Sequence, residues 1–288
     1  MPSHPAFLSL RWIACFMAFC LFQPLLAAAE TRVIEARRYD DALSGLAVSF
    51  LARDLATGND YVLEGSSLDR RHTPLSTFKI ANLVIALETG AAASLDDWRP
   101  WIPQERSAGP HWPQDWRQGQ TLEQAFRRSA VWYFRDLARK IGSDTYRARL
   151  SQWGYGNAQV PAGSDDFWLD NTLRLSVAEQ VGFLEKLVAG RLDVRPQSIS
   201  ALDRASLSGT KGKVAIHGKT GAGPDDPSNA DGAFSGWYVG YLRRQSGEPV
   251  VFALHVTGPS FRTIAEFRRA FALRLLTDIG LVSSVSGQ

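Results

Sequence analysis

The chain has 288 residues, of which 45% are apolar and 21% are charged, so it is long enough to bury a core without a disulfide or cofactor to hold it. Its formal net charge of +3 is small for this length, and its arginines form no dense basic stripe, which argues against nucleic acid as a partner. These bulk properties predict one or two closely joined globular domains.

The N-terminal 29 residues form the first predicted element. A single charge at Arg11 precedes an apolar run from Trp12 to Phe22, and small residues occupy Ala27–Ala29. This pattern is typical of a secretory signal peptide, and the apolar run is shorter than a membrane-spanning helix needs. We expect cleavage after Ala29 and a periplasmic protein without a membrane anchor. Cys15 and Cys20 both lie inside this segment, so no disulfide is expected in the mature chain.

Strand patterns occur near both ends of the remaining chain. Residues 44–65 are apolar on both sides of a turn at Thr57–Asp60, and residues 232–258 repeat this signal around Gln245–Glu248. Helical periodicity is found in four segments: Pro74–Thr89, Leu122–Ile141, Val177–Val188 and Phe261–Gly280. This order predicts an α/β fold of the α+β type. An antiparallel sheet built from N- and C-terminal segments is flanked by helices, within a domain of residues 30–288 that contains a helical subdomain at about residues 91–195.

The first of these helices carries a lysine among its apolar positions. Lys79 lies three residues after Ser76, and residues three apart share a helix face, so its amine can approach the Ser76 hydroxyl. A lysine that extends its amine from a core helix to solvent would give the same pattern. A second Ser-x-x-Lys match, Ser208–Lys211, lies in a glycine-rich connection that has no helix to fix the pair, and we interpret it as coincidence.

Two further motifs follow the Ser-x-x-Lys pair along the chain. Ser129-Ala130-Val131 lies inside the second helical segment, and Lys219-Thr220-Gly221 follows an apolar strand. In this order, the three motifs resemble the active-site set of the penicillin-recognising serine enzymes. The resemblance covers nearly all of the mature chain, and five stretches narrow it to the class D, or oxacillinase-type, serine β-lactamases: residues 76–90, residues 129–142, Tyr155–Asn157, Phe167–Leu169 and His217–Gly221.

The resemblance implies a role for each matching residue. Ser76 is the expected nucleophile, and Lys79, carboxylated on its amine by carbon dioxide, is the expected general base. Ser129 and Lys219 are expected to relay protons and hold the substrate, and Trp168 to donate a hydrogen bond to the carboxylated lysine. The expected oxyanion hole is formed by the backbone N–H groups of Ser76 and Ala222. The positions expected to contact substrate are Val131, Thr220, Gly221, Ala222 and Arg268.

The function that the resemblance implies is hydrolysis of penicillin-type β-lactams through a serine acyl-enzyme, which gives antibiotic resistance. It implies no metal and no cofactor other than carbon dioxide on Lys79, a β-lactam as the small-molecule partner, and a monomer or homodimer. The chain departs from many family members at Ala222, at the strand Gly236–Tyr241 and in the acidic loop Gly223–Gly232, so its substrate range stays open.

Two alternatives share this site: a transpeptidase or carboxypeptidase that acts on cell-wall peptides, and a β-lactam sensor that is acylated without turnover. The expectation of a cleavable N-terminus and no second domain favours a free hydrolase. A phosphate-binding loop is excluded because five residues, rather than four, separate Gly212 from Gly218. A Ser-His-Asp hydrolase is unsupported because the sequence has no Gly-x-Ser-x-Gly elbow.

Overall fold

The computed structural model describes residue 1 and residues 29–109, 112–229, 232–245 and 247–283, so most of the expected signal peptide and both of its cysteines lie outside the described residues. The strands are β1 (Thr31–Ile34), β2 (Ala47–Asp54), β3 (Asp60–Leu63), β4 (Trp98–Arg99), β5 (Gln120–Thr121), β6 (Leu207–Lys211), β7 (Val214–Pro224), β8 (Phe234–Arg244) and β9 (Val250–Gly258). The α-helices are α1 (Asp40–Leu43), α2 (Lys79–Glu88), α3 (Leu122–Arg128), α4 (Val131–Ile141), α5 (Ser143–Trp153), α6 (Val177–Val188), α7 (Pro196–Ser206) and α8 (Phe261–Asp278). Among the described residues, no helix combines the length and the apolar character needed to cross a bilayer.

The main sheet has seven strands in the order β1-β3-β2-β9-β8-β7-β6. Every neighbouring pair is antiparallel except β1 and β3, which run parallel. The predicted sheet of N- and C-terminal segments is therefore confirmed, and so is the mixed α and β class. Strand β1 was not predicted, because its four residues carry only one buried position.

Each face of the sheet packs against a different set of helices. In β9, Phe252, Leu254 and Val256 join the cluster that includes the buried face of α8, whereas Val251 and Ala253 join the cluster that includes α2 and α6. Successive strand residues point to opposite faces, so an apolar strand such as β9 can supply both clusters. The result is a sheet with α8 on one face and the larger group of helices on the other.

The helical segments differ from prediction in two ways. Leu122–Ile141 is two helices rather than one, because Ser129 adopts a left-handed backbone (φ 64°) that ends α3 before α4 begins. Helices α5 and α7 were missed, since each buries only a few side chains and α7 buries two serines among them. Helices α3 to α6 fall within the predicted helical subdomain, whose boundaries stay a prediction.

Candidate active site

The Ser-x-x-Lys motif spans the junction between a 3₁₀ turn and a helix. Leu75–Phe78 forms the 3₁₀ turn and Lys79 is the first residue of α2. Side chains three residues apart eclipse in a 3₁₀ turn, which brings the two motif residues closer than an α-helix would. Lys79 Nζ accordingly lies 2.8 Å from Ser76 Oγ. The structure thus joins the two residues that the spacing pairs.

Lys79 is fully buried, although it carries an ionisable amine. Its Nζ lies 5.4 Å from the ring centre of Phe134 on α4. Burial, and then the like charge of Lys219, hold the pKa of Lys79 well below its usual value. This shift favours the neutral amine, which is the form that can accept a proton. The alternative of a lysine that extends to solvent is wrong.

Trp168 lies beside the same turn and is also fully buried. Its ring stacks on Phe78 with centroids 5.3 Å apart, and its carbonyl oxygen accepts a hydrogen bond of 3.1 Å from the Leu75 N–H. Its indole N–H finds no hydrogen-bond acceptor among the described residues. A buried donor without a partner costs about 1 to 3 kcal/mol, so this N–H favours an acceptor that the described side chains do not supply.

Two residues at the site adopt left-handed backbones that are uncommon for residues other than glycine. Leu75, directly before the nucleophile, has φ 53°, and Ser129 has φ 64°. Such conformations cost about 1 to 3 kcal/mol each and persist only where the surrounding structure holds them. The prediction that Ser129 lies inside a helix is wrong. The break between α3 and α4 instead frees its side chain to meet β7.

Lys219 reaches Ser129 from the middle of β7. Its Nζ donates to Ser129 Oγ at 2.5 Å and to the Thr220 carbonyl oxygen at 3.0 Å. Lys219 is only 5% exposed, and burial, followed by the positive charge of Arg268, lowers its pKa to about 7. This second serine–lysine pair can therefore gain or lose a proton near neutral pH.

Arg268 approaches the sheet from α8. A Cβ atom at Gly236 of β8 would lie 3.3 Å from Arg268 Cδ and 3.0 Å from Ile264 Cδ1, so the glycine leaves space for the arginine stem. Arg268 is 9% exposed, and burial lowers its pKa to about 10, which leaves it positive at neutral pH. Arg268 therefore does not lie on a solvated face of α8. Its contact with substrate stays a prediction.

The predicted binding residues of β7 divide between the two faces of the sheet. By strand alternation, Lys219 and Gly221 share one face, and Thr220 and Ala222 share the face toward α8. A Cβ atom at Gly221 would lie 3.1 Å from the Pro74 carbonyl oxygen, so glycine lets β7 lie this close to the nucleophile turn without a crowded contact. The structure explains Gly221 by packing, and its role in binding stays a prediction.

Helix α4 supplies two residues on the side of the site opposite β7. Val131, a predicted wall residue, is the half-buried first residue of α4, and Phe134 follows it by three positions. Phe134, whose ring lies beside the Lys79 amine, was not predicted from the sequence. The signal was available, because residues three apart on a helix share a face and Val131 was already assigned to the site.

Comparison with known proteins shows which family shares this sequence and architecture. Residues 48–272 match the family described as the penicillin binding protein transpeptidase domain. The chain is 31% identical over 218 residues to β-lactamase OXA-20 of Pseudomonas aeruginosa, which is 76% of each chain. The class D β-lactamase of Bacillus subtilis has the same fold, with a TM-score of 0.72 and 28% identity over 85% of this chain and 96% of that chain.

A regulatory relative is similar as well. The chain is 34% identical over 221 residues to regulatory protein BlaR1 of Bacillus licheniformis, which is 75% of this chain but 34% of that protein. The C-terminal domain of the Bacillus licheniformis BlaR penicillin-receptor superposes with a TM-score of 0.77 at 24% identity, over 88% of this chain and 98% of that chain. The chain belongs to the penicillin-binding protein transpeptidase family, in its class D β-lactamase branch.

Proposed function

We propose that this protein hydrolyses penicillin-type β-lactams through an acyl-enzyme on Ser76, and that this activity confers antibiotic resistance. The observation that carries the proposal is a fully buried Lys79 amine 2.8 Å from the Ser76 hydroxyl, where burial holds the pKa of the amine well below its usual value. As Ser76 Oγ attacks the lactam carbonyl carbon, the Lys79 side chain is the base that receives the hydroxyl proton. The acyl–oxygen bond forms and the lactam C–N bond breaks, which leaves the ring nitrogen in need of a proton.

The Ser129–Lys219 pair can deliver that proton. Lys219 has a pKa of about 7 and donates a hydrogen bond to Ser129 Oγ, so protonated Lys219 can pass a proton through the hydroxyl to the leaving nitrogen. Arg268 is a cation at neutral pH and its charge reaches Lys219, so Arg268 and protonated Lys219 suit a substrate that carries a carboxylate. Penicillins carry a carboxylate next to the ring nitrogen.

The residues around Lys79 also fit its carboxylation by carbon dioxide. Only a neutral amine reacts with carbon dioxide, and burial lowers the pKa of Lys79 and so favours its neutral form. The indole N–H of Trp168 lacks an acceptor among the described residues and is a donor for a buried carboxylate. When bound, carbon dioxide would supply a carboxylate base for the water that releases the acyl group.

The test is steady-state hydrolysis of a panel of penicillins, oxacillins, cephalosporins and carbapenems by the purified protein. We expect sustained turnover of at least one penicillin and none by Ser76→Ala. Protein that is folded by circular dichroism and binds a fluorescent penicillin, yet releases it with a half-life of hours, would contradict hydrolysis. Fractionation of the host cells tests the proposed periplasmic location, and gel filtration distinguishes a monomer from a homodimer.

The likeness to regulatory protein BlaR1 favours one second candidate, a β-lactam sensor that keeps its acyl group. The two functions differ in the lifetime of the acyl-enzyme, because a sensor must hold the ligand that an enzyme releases. Intact-protein mass spectrometry after a single addition of penicillin measures this lifetime. A transpeptidase would also keep the acyl group, and would in addition transfer acyl groups from D-Ala-D-Ala peptides to an amine acceptor.

A further inference from the structure

Two histidines and an aspartate meet outside the serine–lysine site. His72 lies four residues before Ser76, Asp225 directly follows β7, and His255 lies in β9. One ligand atom from each of the three residues lies within 4.8 Å of the other two, and His72 Nδ1 lies 3.9 Å from Asp225 Oδ1. The two imidazole rings stack with their centroids 3.6 Å apart. Neither the predicted mechanism nor the packing of the sheet requires this grouping.

The chemistry of the three groups suits a divalent transition metal. Two imidazole nitrogens and one carboxylate oxygen form a ligand set that zinc accepts, with open positions left for water. Tetrahedral coordination would place the ligand atoms about 3.4 Å apart. Because a bound ion lies in the plane of each imidazole, the two stacked rings would also have to rotate apart as the ion binds. Burial lowers the pKa of His72 to about 4 and that of His255 well below its usual value, so both rings are neutral and have a free lone pair at neutral pH.

The surroundings hold these ligands in place. Ser235 Oγ donates to Asp225 and lies 3.1 Å from His255 Nε2, as expected of a group that orients metal ligands from outside the coordination sphere. His72 is fixed by two backbone hydrogen bonds of 2.9 Å with Leu175. Asp225 supplies a negative charge for a cation, which offsets the positive charge of nearby Arg70.

The site is also open to an incoming ion. His72 and His255 line a surface pocket of about 250 Å³ together with Arg70, Ser49 and Thr257. A pocket of this size gives a hydrated ion a route to the two nitrogens and leaves room for its remaining waters. Entry therefore requires no opening of the core.

We propose that His72, Asp225 and His255 bind one divalent transition-metal ion of the zinc type. The ion joins the loop after β7 to the segment that leads into the nucleophile turn. It thereby holds β7, with Lys219, against Ser76. The proposal concerns a structural site and is independent of whether the acyl group on Ser76 is released.

The test uses the full, untagged chain after removal of metals with a chelator. We expect isothermal titration to show one strong site for Zn²⁺, thermal unfolding to shift to higher temperature with Zn²⁺, and Co²⁺ to give the intense visible bands of a tetrahedral site. Asp225→Asn keeps the shape of a half-buried side chain and should weaken Zn²⁺ binding by about 10- to 100-fold. His72→Asn should do the same.

His217→Asn is the matched control, because His217 is also a buried sheet histidine but contacts Ser206 and the Asp203 carbonyl oxygen instead. It should bind Zn²⁺ as the unmodified protein does. The proposal is overturned if the unmodified protein shows no saturable Zn²⁺ site, or if Asp225→Asn, folded by circular dichroism, binds Zn²⁺ unchanged. Equal loss of binding in His217→Asn would also overturn it.

Discussion

Two serine–lysine pairs lie at the site, and they reach similar geometry by different routes. Ser76 and Lys79 are three residues apart on one turn, with Nζ and Oγ 2.8 Å apart. Ser129 and Lys219 are 90 residues apart and come from a helix junction and a strand, yet their atoms lie 2.5 Å apart. The first pair follows from local backbone geometry, whereas the second exists only because the sheet and the helices pack together.

The two lysines differ in what surrounds them. Lys79 is completely enclosed, and this burial, followed by the like charge of Lys219, holds its pKa well below the usual value. Lys219 is nearly as buried, yet its pKa stays at about 7, and its amine also bonds the Thr220 carbonyl oxygen, which favours the charged form. One amine is therefore suited to accept a proton and the other to donate one.

The second Ser-x-x-Lys match shows what such a motif lacks without this surrounding structure. Ser208–Lys211 lies on strand β6, so the predicted glycine-rich connection is wrong, although the prediction that no helix pairs the two residues holds. Ser208 Oγ instead donates to the Ile216 carbonyl oxygen at 3.0 Å. The same four-residue spacing therefore yields a reactive pair on a turn and an ordinary edge contact on a strand.

The largest expected effect is on covalent labelling and hydrolysis, and it distinguishes Ser76 from Ser129 and Ser208. Ser76→Ala should abolish covalent labelling by a fluorescent penicillin and reduce hydrolysis by at least about a thousandfold, because it removes the attacking oxygen. Ser129→Ala should slow labelling without abolishing it, since it interrupts only the proton path. Ser208→Ala is the matched control and should label normally. Labelling that persists at another residue in Ser76→Ala would contradict the assignment.

The next effect tests why the first lysine is so deeply enclosed. Trp168→Phe removes one N–H and keeps an aromatic ring. It should slow deacylation by about 10- to 100-fold, the effect of losing one hydrogen bond to a buried charge, and slow acylation less. Trp153→Phe is the matched control, because Trp153 also has a buried indole N–H without a partner among the described residues. Pre-steady-state burst kinetics measure the two steps separately.

The same enclosure predicts that Lys79 carries carbon dioxide. With ¹³C-bicarbonate, the unmodified protein should show a carbamate resonance in ¹³C NMR that is absent in Lys79→Ala. Activity lost at mildly acidic pH in carbon dioxide-free buffer should return when bicarbonate is added. If no resonance appears and activity is indifferent to bicarbonate between pH 5 and 8, Lys79 acts as a free amine.

A smaller effect probes the second lysine through its neighbour Arg268. Arg268→Ala should raise KM for penicillins by about tenfold and change kcat less, because it removes binding shared by ground and transition states.

The plot of kcat/KM against pH should fall above about pH 7 as Lys219 loses its proton. Because the charge of Arg268 lowers the pKa of Lys219, Arg268→Gln should move this fall to higher pH. Arg269→Ala, an exposed neighbour, should change neither quantity, and an unmoved pH profile in Arg268→Gln would contradict the coupling.

The last expected effect is on stability. Both lysines have a lower pKa when folded than when unfolded, so the unfolded chain binds more protons and stability rises with pH. In carbon dioxide-free buffer, Lys79→Met should be more stable than the unmodified protein, with a gap that grows by about 1.4 kcal/mol for each pH unit below about 10. The gap for Lys219→Met should level off near pH 7, where the pKa of Lys219 lies in the folded protein. Urea unfolding at several pH values measures both gaps, and parallel curves would show that the two lysines are equivalent.

Much of the fold could be predicted from the sequence because its signals are local. Alternating strands at both ends, helix α6 and the start of the nucleophile helix follow from hydrophobic periodicity, and the Ser76–Lys79 pair follows from the three-residue repeat. The order of the three motifs, rather than any one of them, indicated the family. The two helices that were missed bury too few apolar side chains to give a periodic signal.

The tertiary structure alone decided the rest, because those features depend on contacts between residues far apart in the chain. No local sequence pattern predicts that Ser129 ends a helix and contacts Lys219, or that Gly236 leaves space for the Arg268 side chain. The pKa of each lysine is set mainly by how completely distant elements exclude water from it. The stacked rings of His72 and His255 come from residues far apart in the chain. The sequence determined which reactive groups are present, and packing determined which of them face one another and whether they carry a charge.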